Sequence, residues 1–175
     1  MRKTLSVLRV RARPGLPARG WLIAGSVALP VALGRTGIRA DKREGDGATP
    51  RGQFRLVRLW WRAEHGPRPR TYLPVRKIRA TDAWCEDPAD PRYNRPIRLV
   101  PGREGDRLAR TDHLYDLIIE LDHNTRPRIA GRGSAVFIHL AKHGFSPTAG
   151  CVALAPGALR RLVGRVGPRT RIGIQ

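Results

Sequence analysis

The chain has little sulfur, little negative charge and no long apolar run, and each shortage closes off a class of function. Its two cysteines, Cys85 and Cys151, among 175 residues are too few for a disulfide scaffold, although one bridge between them stays open. Only 14 acidic residues stand against 34 Lys and Arg, a formal net charge of +20. Such a balance attracts polyanions and acidic polymers in general. The cations, however, are scattered from Arg2 to Arg171. No basic block, aromatic RNA-binding signature, zinc-finger spacing or helix-turn-helix pattern accompanies them. Nucleic acid is therefore not expected as the main partner. The apolar stretch WLIAGSVALPVALG, residues 21–34, contains Pro30 and is too short to span a bilayer. It begins late, behind arginines and prolines, so no clear signal peptide and no transmembrane segment is expected. No internal repeat or low-complexity tract is present.

What remains is a hydrophobic content of 41%, enough for a core, arranged mainly in short alternating runs. Residues 4–11 (TLSVLRVR) alternate as a strand, and PGLPARG at 14–20 reads as a turn. Residues 21–34 read as a hairpin turning at Gly25 and Ser26, and 53–61 (QFRLVRLWW) as a further strand. The segment 39–52 between them is a polar loop, and 64–97 is broken by prolines and expected to be irregular. Residues 113–124 predict a strand turning at Asn124, with a short helix conceivable at its start, and 133–140 (GSAVFIHL) a buried strand. Residues 155–167 carry apolar positions at helical spacing, and 170–175 close the chain as a strand. The expected fold class is mostly β, a sandwich or partly open barrel with one or two short helices, in a single domain over residues 1–175.

The run HLAKHGFSPTAGCVAL, residues 139–154, carries the chemistry. His139 and Cys151 are twelve residues apart, a separation that a strand, a loop and a return bring side by side. A thiol beside an imidazole is a nucleophile with its base, and an imidazolium there would lower the thiol pKa. Gly150 permits a tight turn, after which the amides of Ala149, Gly150 and Cys151 can face a developing oxyanion. No carboxylate flanks His139, so a backbone carbonyl is the available orienter of its ring. The competing reading is a buried, inert cysteine. His143 is a rival base in a more exposed setting, and His113 beside Asp112 reads as an ordinary surface histidine. Cys85, Cys151, His113 and His139 match no familiar zinc-ligand spacing, so no metal and no cofactor is expected.

These residues resemble the catalytic segment of the L,D-transpeptidases, the YkuD-like enzymes that remodel bacterial peptidoglycan. That family carries a histidine at a strand end, a loop, and then a Ser-His-Gly-Cys-[Ile/Val]-Arg-like motif, matched here by His139 and TAGCVA. KREGDGATPRGQF, residues 42–54, resembles the family's Thr-Pro-x-Gly-x-Phe segment through Thr49, Pro50, Gly52 and Phe54. The resemblance implies a β-rich fold and Cys151 as nucleophile, with His139 as base. It also implies Gly150 in the oxyanion turn and the Leu140 carbonyl as orienter. It further implies a stem-peptide donor cleaved after meso-diaminopimelate, a thioester intermediate, release of D-alanine, and capture of the acyl group by an amine. Work in the bacterial cell envelope or periplasm is expected on the same ground.

Thr148 stands where serine is usual, and Ala149 and Ala153 replace the motif's histidine and arginine. With those groups gone, an L,D-carboxypeptidase or amidase using the same pair stays open, as does a non-catalytic basic module binding wall polymer or nucleic acid. Candidate substrate contacts are Thr148, Arg51, Trp84 and Tyr93. Arg51 offers a planar fork for a carboxylate, and the two aromatics sit in a polar loop that lines a cleft or forms a small core of its own. Lys42, Glu44 and Asp46 read as a solvated charge cluster or a substrate edge. Oligomeric state is not legible.

Overall fold

Alternation between apolar and charged residues fixes the first strands of the computed structural model, which describes residues 4–175. In β1 (Val7–Arg13), Leu8 and Val10 point inward while Val7, Arg9 and Arg11 face solvent. Pro14 and Gly15 alone reverse the chain, Gly15 taking φ +74°, a conformation open to glycine. β2 therefore runs Leu16–Ala24, and residues 16–20, expected in the turn, belong to the strand. A register shift between Ala12 and Arg13 absorbs the misfit. β3 (Val27–Ala32) returns after Gly25 and Ser26.

The polar loop that follows is not bare. Its ends form β4 (Ile38–Arg39) and β5 (Thr49–Pro50), a short parallel pair. The long β6 (Gly52–Trp61) comes next. The proline-broken middle, expected to be irregular, contains β7 (Val75–Lys77), β8 (Asp82–Trp84), β9 (Pro96–Arg98) and β10 (Asp106–Arg107). Strands this short carry too few residues for alternation to register. They are held by pairing in the order β10-β8-β9, while β7 lies parallel to β6. β11 (Leu117–Leu121) follows a turn rather than a helix. β12 (Phe137–Leu140) starts four residues later than expected, because Ala135 adopts φ +51° and leaves the ladder. β13 (Val152–Leu154), α1 (Pro156–Val163) and β14 (Arg171–Ile174) complete the chain. Pro156 opens the helix, where its missing N–H costs nothing.

Eight strands pair in the order β11-β12-β13-β3-β2-β1-β14-β6, and β6 pairs again with β11, so the sheet closes on itself. The mostly β class with a short helix is what forms, as a closed barrel-like sheet. Closure is made by the length of β6: its first residues pair with β14, and five between Leu56 and Trp61 pair with β11. Two larger hydrophobic cores result, beside a small cluster of Ala83, Cys85 and Ile97. Leu8, Leu22, Leu56, Ile119, Ile138 and Ile172 belong to the large one, joined by Leu159 and Leu162 of α1. Trp60, Trp84, Ile118, Phe137 and Tyr115 form the second, against the opposite face of β6, β11 and β12. The middle segment thus covers the barrel on one side, and everything between cover and barrel is sheltered from water.

β14 lies between β1 and β6, and Ile172 at its centre is fully buried. Replacing Ile172 by Ala is expected to lower the unfolding free energy by ~2–5 kcal/mol, read as a shift in the urea midpoint at unchanged slope.

Candidate active site

Strand alternation places the thiol and the imidazole. β12 and β13 run parallel, with Ile138 opposite Val152 and His139 opposite Ala153. Successive side chains point to opposite faces, so Ile138 and Leu140 enter the large core while Phe137 and His139 face the cover. Cys151, one residue ahead of β13, takes the cover side as well and packs with Phe137. Its thiol donates to the Ala135 carbonyl at 3.2 Å and accepts the Phe137 N–H at 3.4 Å. It is 7% exposed and lines a cavity of 340 Å³. His139, 6% exposed, lines an adjoining cavity of 190 Å³. Arg110, Tyr115 and Ala149 border both. Glu86 and Asp106 line both the thiol's cavity and a second cleft of 1010 Å³. A separate hollow of 700 Å³ between α1 and residues 67–70 contains neither Cys151 nor His139.

The turn before Cys151 is fastened at both ends. The Thr148 amide donates to Leu33 O at 2.8 Å, and Thr148 O accepts the Arg35 N–H at 3.0 Å. The Thr148 hydroxyl donates to Cys151 O at 2.7 Å and accepts the Gly150 N–H at 3.1 Å. The Gly150 amide, expected to face an oxyanion, is thus occupied by Thr148 Oγ1. Gly150 itself has φ +151°, and a Cβ there would lie 2.7 Å from Ala48 O. Glycine is thus required by both conformation and space.

The electrostatics differ from the ion pair expected. His139 Nδ1 lies 2.8 Å from Leu140 O. A carbonyl only accepts, so the proton is on Nδ1 and Nε2 keeps its lone pair. Burial drives the His139 pKa down to about 4, against a smaller upward effect of that hydrogen bond. Burial likewise pushes the Cys151 thiol up to about 12, only partly offset by the Phe137 N–H. Among the described residues the two side chains share no hydrogen bond. The resting pair is therefore a neutral thiol and a neutral imidazole, because neither charge survives removal from water without a direct partner. The Tyr115 ring meets the imidazole edge-on at 5.3 Å, and its hydroxyl donates to Asp106 Oδ2 at 2.8 Å. The Arg110 guanidinium lies 5.0 Å from the Tyr115 ring centre.

The remaining candidates separate. Arg51 is exposed and borders neither cavity; its amide continues the short pairing with Arg39. Trp84 is buried against Trp60 and Phe137, with its Nε1–H on Asn94 Oδ1 at 3.0 Å, so it is core rather than cleft wall. Tyr93 is buried too, and its hydroxyl donates to Glu44. Tyr93 and Ser134 thus hold a carboxylate that does line the cavity. Lys42 is not solvated: it is 6% exposed, its ammonium pairs with Asp46 at 2.5 Å within its own loop, and its side chain lines the same cavity. Cys85 is a free thiol packed with Ala83 and Ile97, apart from the cluster that holds Cys151. His143 is exposed in a short turn. His113 bonds Asp116 rather than Asp112. Among the described residues, Cys85, Cys151, His113 and His139 do not gather as a metal set.

Arg110, Asp106, Tyr115 and Asn94 carry no local sequence pattern that marks them as parts of the site. Asn94 Oδ1 accepts from Trp84 and from the Ala135 N–H at 3.3 Å, and its Nδ2 donates to His123 O and Asn124 O. It thereby fixes the segment whose carbonyl receives the Cys151 thiol.

A closed, mostly β barrel with one short helix, holding a thiol and an imidazole in adjoining cavities, is the class of domain this chain forms. The profile of the L,D-transpeptidase catalytic domain, YkuD, matches residues 18–174, and the chain belongs to that family of enzymes. No curated protein and no solved structure matches the chain.

Two measurements test this geometry. Gly150→Ala is expected to cost ~1–3 kcal/mol of strain, seen in thermal melts, and to displace the thiol, seen as altered alkylation of Cys151. In the unmodified protein, iodoacetamide labelling of Cys151, followed by peptide mass analysis, should stay slow through neutral pH and climb steadily to the highest pH tolerated. A plateau reached near neutrality would mean a preformed thiolate and refute the neutral pair.

Proposed function

We propose that this chain transfers acyl groups on peptidoglycan stem peptides through a thioester on Cys151, with His139 as the base. The family acts on peptidoglycan. The observation that carries the reading is the placement of Cys151 and His139 on one face of adjacent parallel strands, with the imidazole's Nδ1–H held by Leu140 O. The free Nε2 lone pair is then the acceptor for the thiol proton. As sulfur attacks the donor carbonyl, His139 takes that proton, and the tetrahedral oxyanion meets the amides of Ala149 and Cys151. The imidazolium gives its proton to the departing amine, and the acyl group stays on sulfur. An acceptor amine attacks the thioester, His139 takes its proton, and the thiol is restored with it.

Neutrality at rest fits this order of events. The base is competent wherever His139 is unprotonated, and its depressed pKa of about 4 extends that range far into acid. Charge appears only when substrate has filled the cavity, where fixed dipoles are most effective. The cleft beyond Glu86 and Asp106 gives room for an extended peptide. Lys42 and Arg110 offer cations to its carboxylates in place of the motif groups that Ala149 and Ala153 lack. Action in the cell envelope follows from the substrate. Among the described residues, no helix is long and apolar enough to cross a membrane.

Incubation with a muropeptide donor should give a thioester on Cys151 by mass analysis, and added amine should convert it to cross-linked product. Cys151→Ala should abolish both. His139→Ala should lower acylation by ~10²–10⁴-fold. Turnover to free acid alone, at every amine concentration, would make the protein a hydrolase. Unchanged donor turnover in Cys151→Ala would end the assignment. The acid limb of kcat/KM should lie near pH 4 rather than near 6.5, because the base must be neutral and its folded pKa is depressed.

A further inference from the structure

Away from the thiol, the turn after β6 meets the entry to β11 in a compact set of two imidazoles and a carboxylate. We propose that His65, His113 and Asp116 bind one divalent cation of the zinc class. His65 Nδ1 lies 2.6 Å from Asp116 Oδ1, and His113 Nδ1 lies 3.0 Å from Asp116 Oδ2. The ring centres are 4.5 Å apart, and one ligand atom from each residue falls within 4.8 Å of the others. Zinc holds nitrogen and oxygen ligands at ~2.0–2.2 Å, so atoms around one ion sit within about 3.5 Å of one another. Side-chain shifts of about an ångström would close the set on an ion.

The backbone already holds the three residues in place. The His65 amide donates to Arg62 O at 3.2 Å, the Arg62 amide to Asp116 O at 3.0 Å, and the Asp116 amide to His113 O at 3.3 Å. His113 is kept at φ +62°, a left-handed conformation that histidine adopts more often than most residues other than glycine. Without a metal, one carboxylate accepts from both rings. With a metal, each neutral ring coordinates through Nδ1 and carries its proton on Nε2. Two imidazoles and one carboxylate suit zinc rather than calcium or magnesium, and they leave a fourth position for water. The bound ion would tie the β11 entry to the turn after β6. The entry includes Tyr115, whose ring packs on His139, so the ion would brace one wall of the active-site cavities. The site stands independently of any reaction at Cys151.

The test is titration of tag-free, chelator-treated protein with Zn²⁺ and with Co²⁺ as a spectroscopic stand-in. One equivalent should bind, with tetrahedral cobalt bands and no sulfur charge-transfer band. His113→Ala removes a ring whose side chain is 65% exposed, so the fold should survive, as circular dichroism in chelator will verify. It should weaken binding at least ~10-fold, and His65→Ala should do the same. Cys85→Ser and Cys151→Ser should leave binding unchanged. Absence of binding at millimolar Zn²⁺, retention in His113→Ala, or loss in either cysteine variant would overturn the proposal.

Discussion

The parallel pairing of β12 with β13 is the constraint on which the rest depends. Both strands are buried on both faces, so their register decides which side chains see the barrel core and which see the cover. A slip of one residue would send Cys151 into the core and turn the apolar side chain of Val152 toward the cavity. Four hydrogen bonds keep the register from slipping: two tie Thr148 to Leu33 and Arg35, and two run from Thr148 Oγ1 across its own turn. A fifth, from Gly34 N to Thr49 Oγ1 at 2.8 Å, brings the segment before β6 against the same place. Three stretches distant in sequence thus converge behind one sulfur. The absent side chain of Gly150, against Ala48 O, is what lets them meet.

The same convergence explains why the pair rests uncharged. A thiolate and an imidazolium between two hydrophobic cores would each forfeit hydration worth several kcal/mol, and no direct hydrogen bond repays it. The nearest cation does not change the balance. Lys42 is turned into its own loop by Asp46 and by Arg43 O at 2.7 Å. The protein's large positive charge is therefore no help to the thiol, since charge on exposed arginines is screened by solvent before it reaches the site. In the proposed reaction, ionisation comes from proton transfer between the two groups, when a substrate carbonyl makes the sulfur's proton worth giving up.

Much of this was legible in the sequence, and the limits have physical causes. The hairpin strands, β6, β14 and α1 announce themselves through long alternation or helical spacing, because one face of each is wet or one stripe is apolar. Cys151, His139 and Gly150 stand out through residue type and motif. The cover was not legible. Its strands are two or three residues long and interrupted by proline, and they are held by Asn94 and by tryptophan packing rather than by periodicity. For the same reason Trp84 and Tyr93 look like cleft residues in a polar loop, while in three dimensions they are the core that the loop makes for itself. Lys42 and Glu44 look solvated because a run of charge normally is. The burial of Lys42 follows from Gly133 and Gly150 admitting its stem, and Glu44 is held by Tyr93 and Ser134, which no local pattern records.

The field inside the cavity is not the field of the whole protein. Elsewhere most carboxylates are held by arginine, as Asp41, Asp90 and Asp112 are. Around the thiol, the acids are held largely by hydroxyls: Glu44 by Tyr93 and Ser134, Asp106 by Tyr115, with Arg110 further off at 3.5 Å. Hydroxyls orient a carboxylate without neutralising it, and burial raises the Asp106 pKa accordingly. Lys42 and Arg110 supply the opposite sign within the same walls. A cavity with both signs, each fixed in place, suits a ligand that is itself zwitterionic. The stem peptides of the proposed reaction, with ammonium and carboxylate groups side by side, are such ligands. A uniformly basic cleft would hold their carboxylates and repel the amine that has to attack.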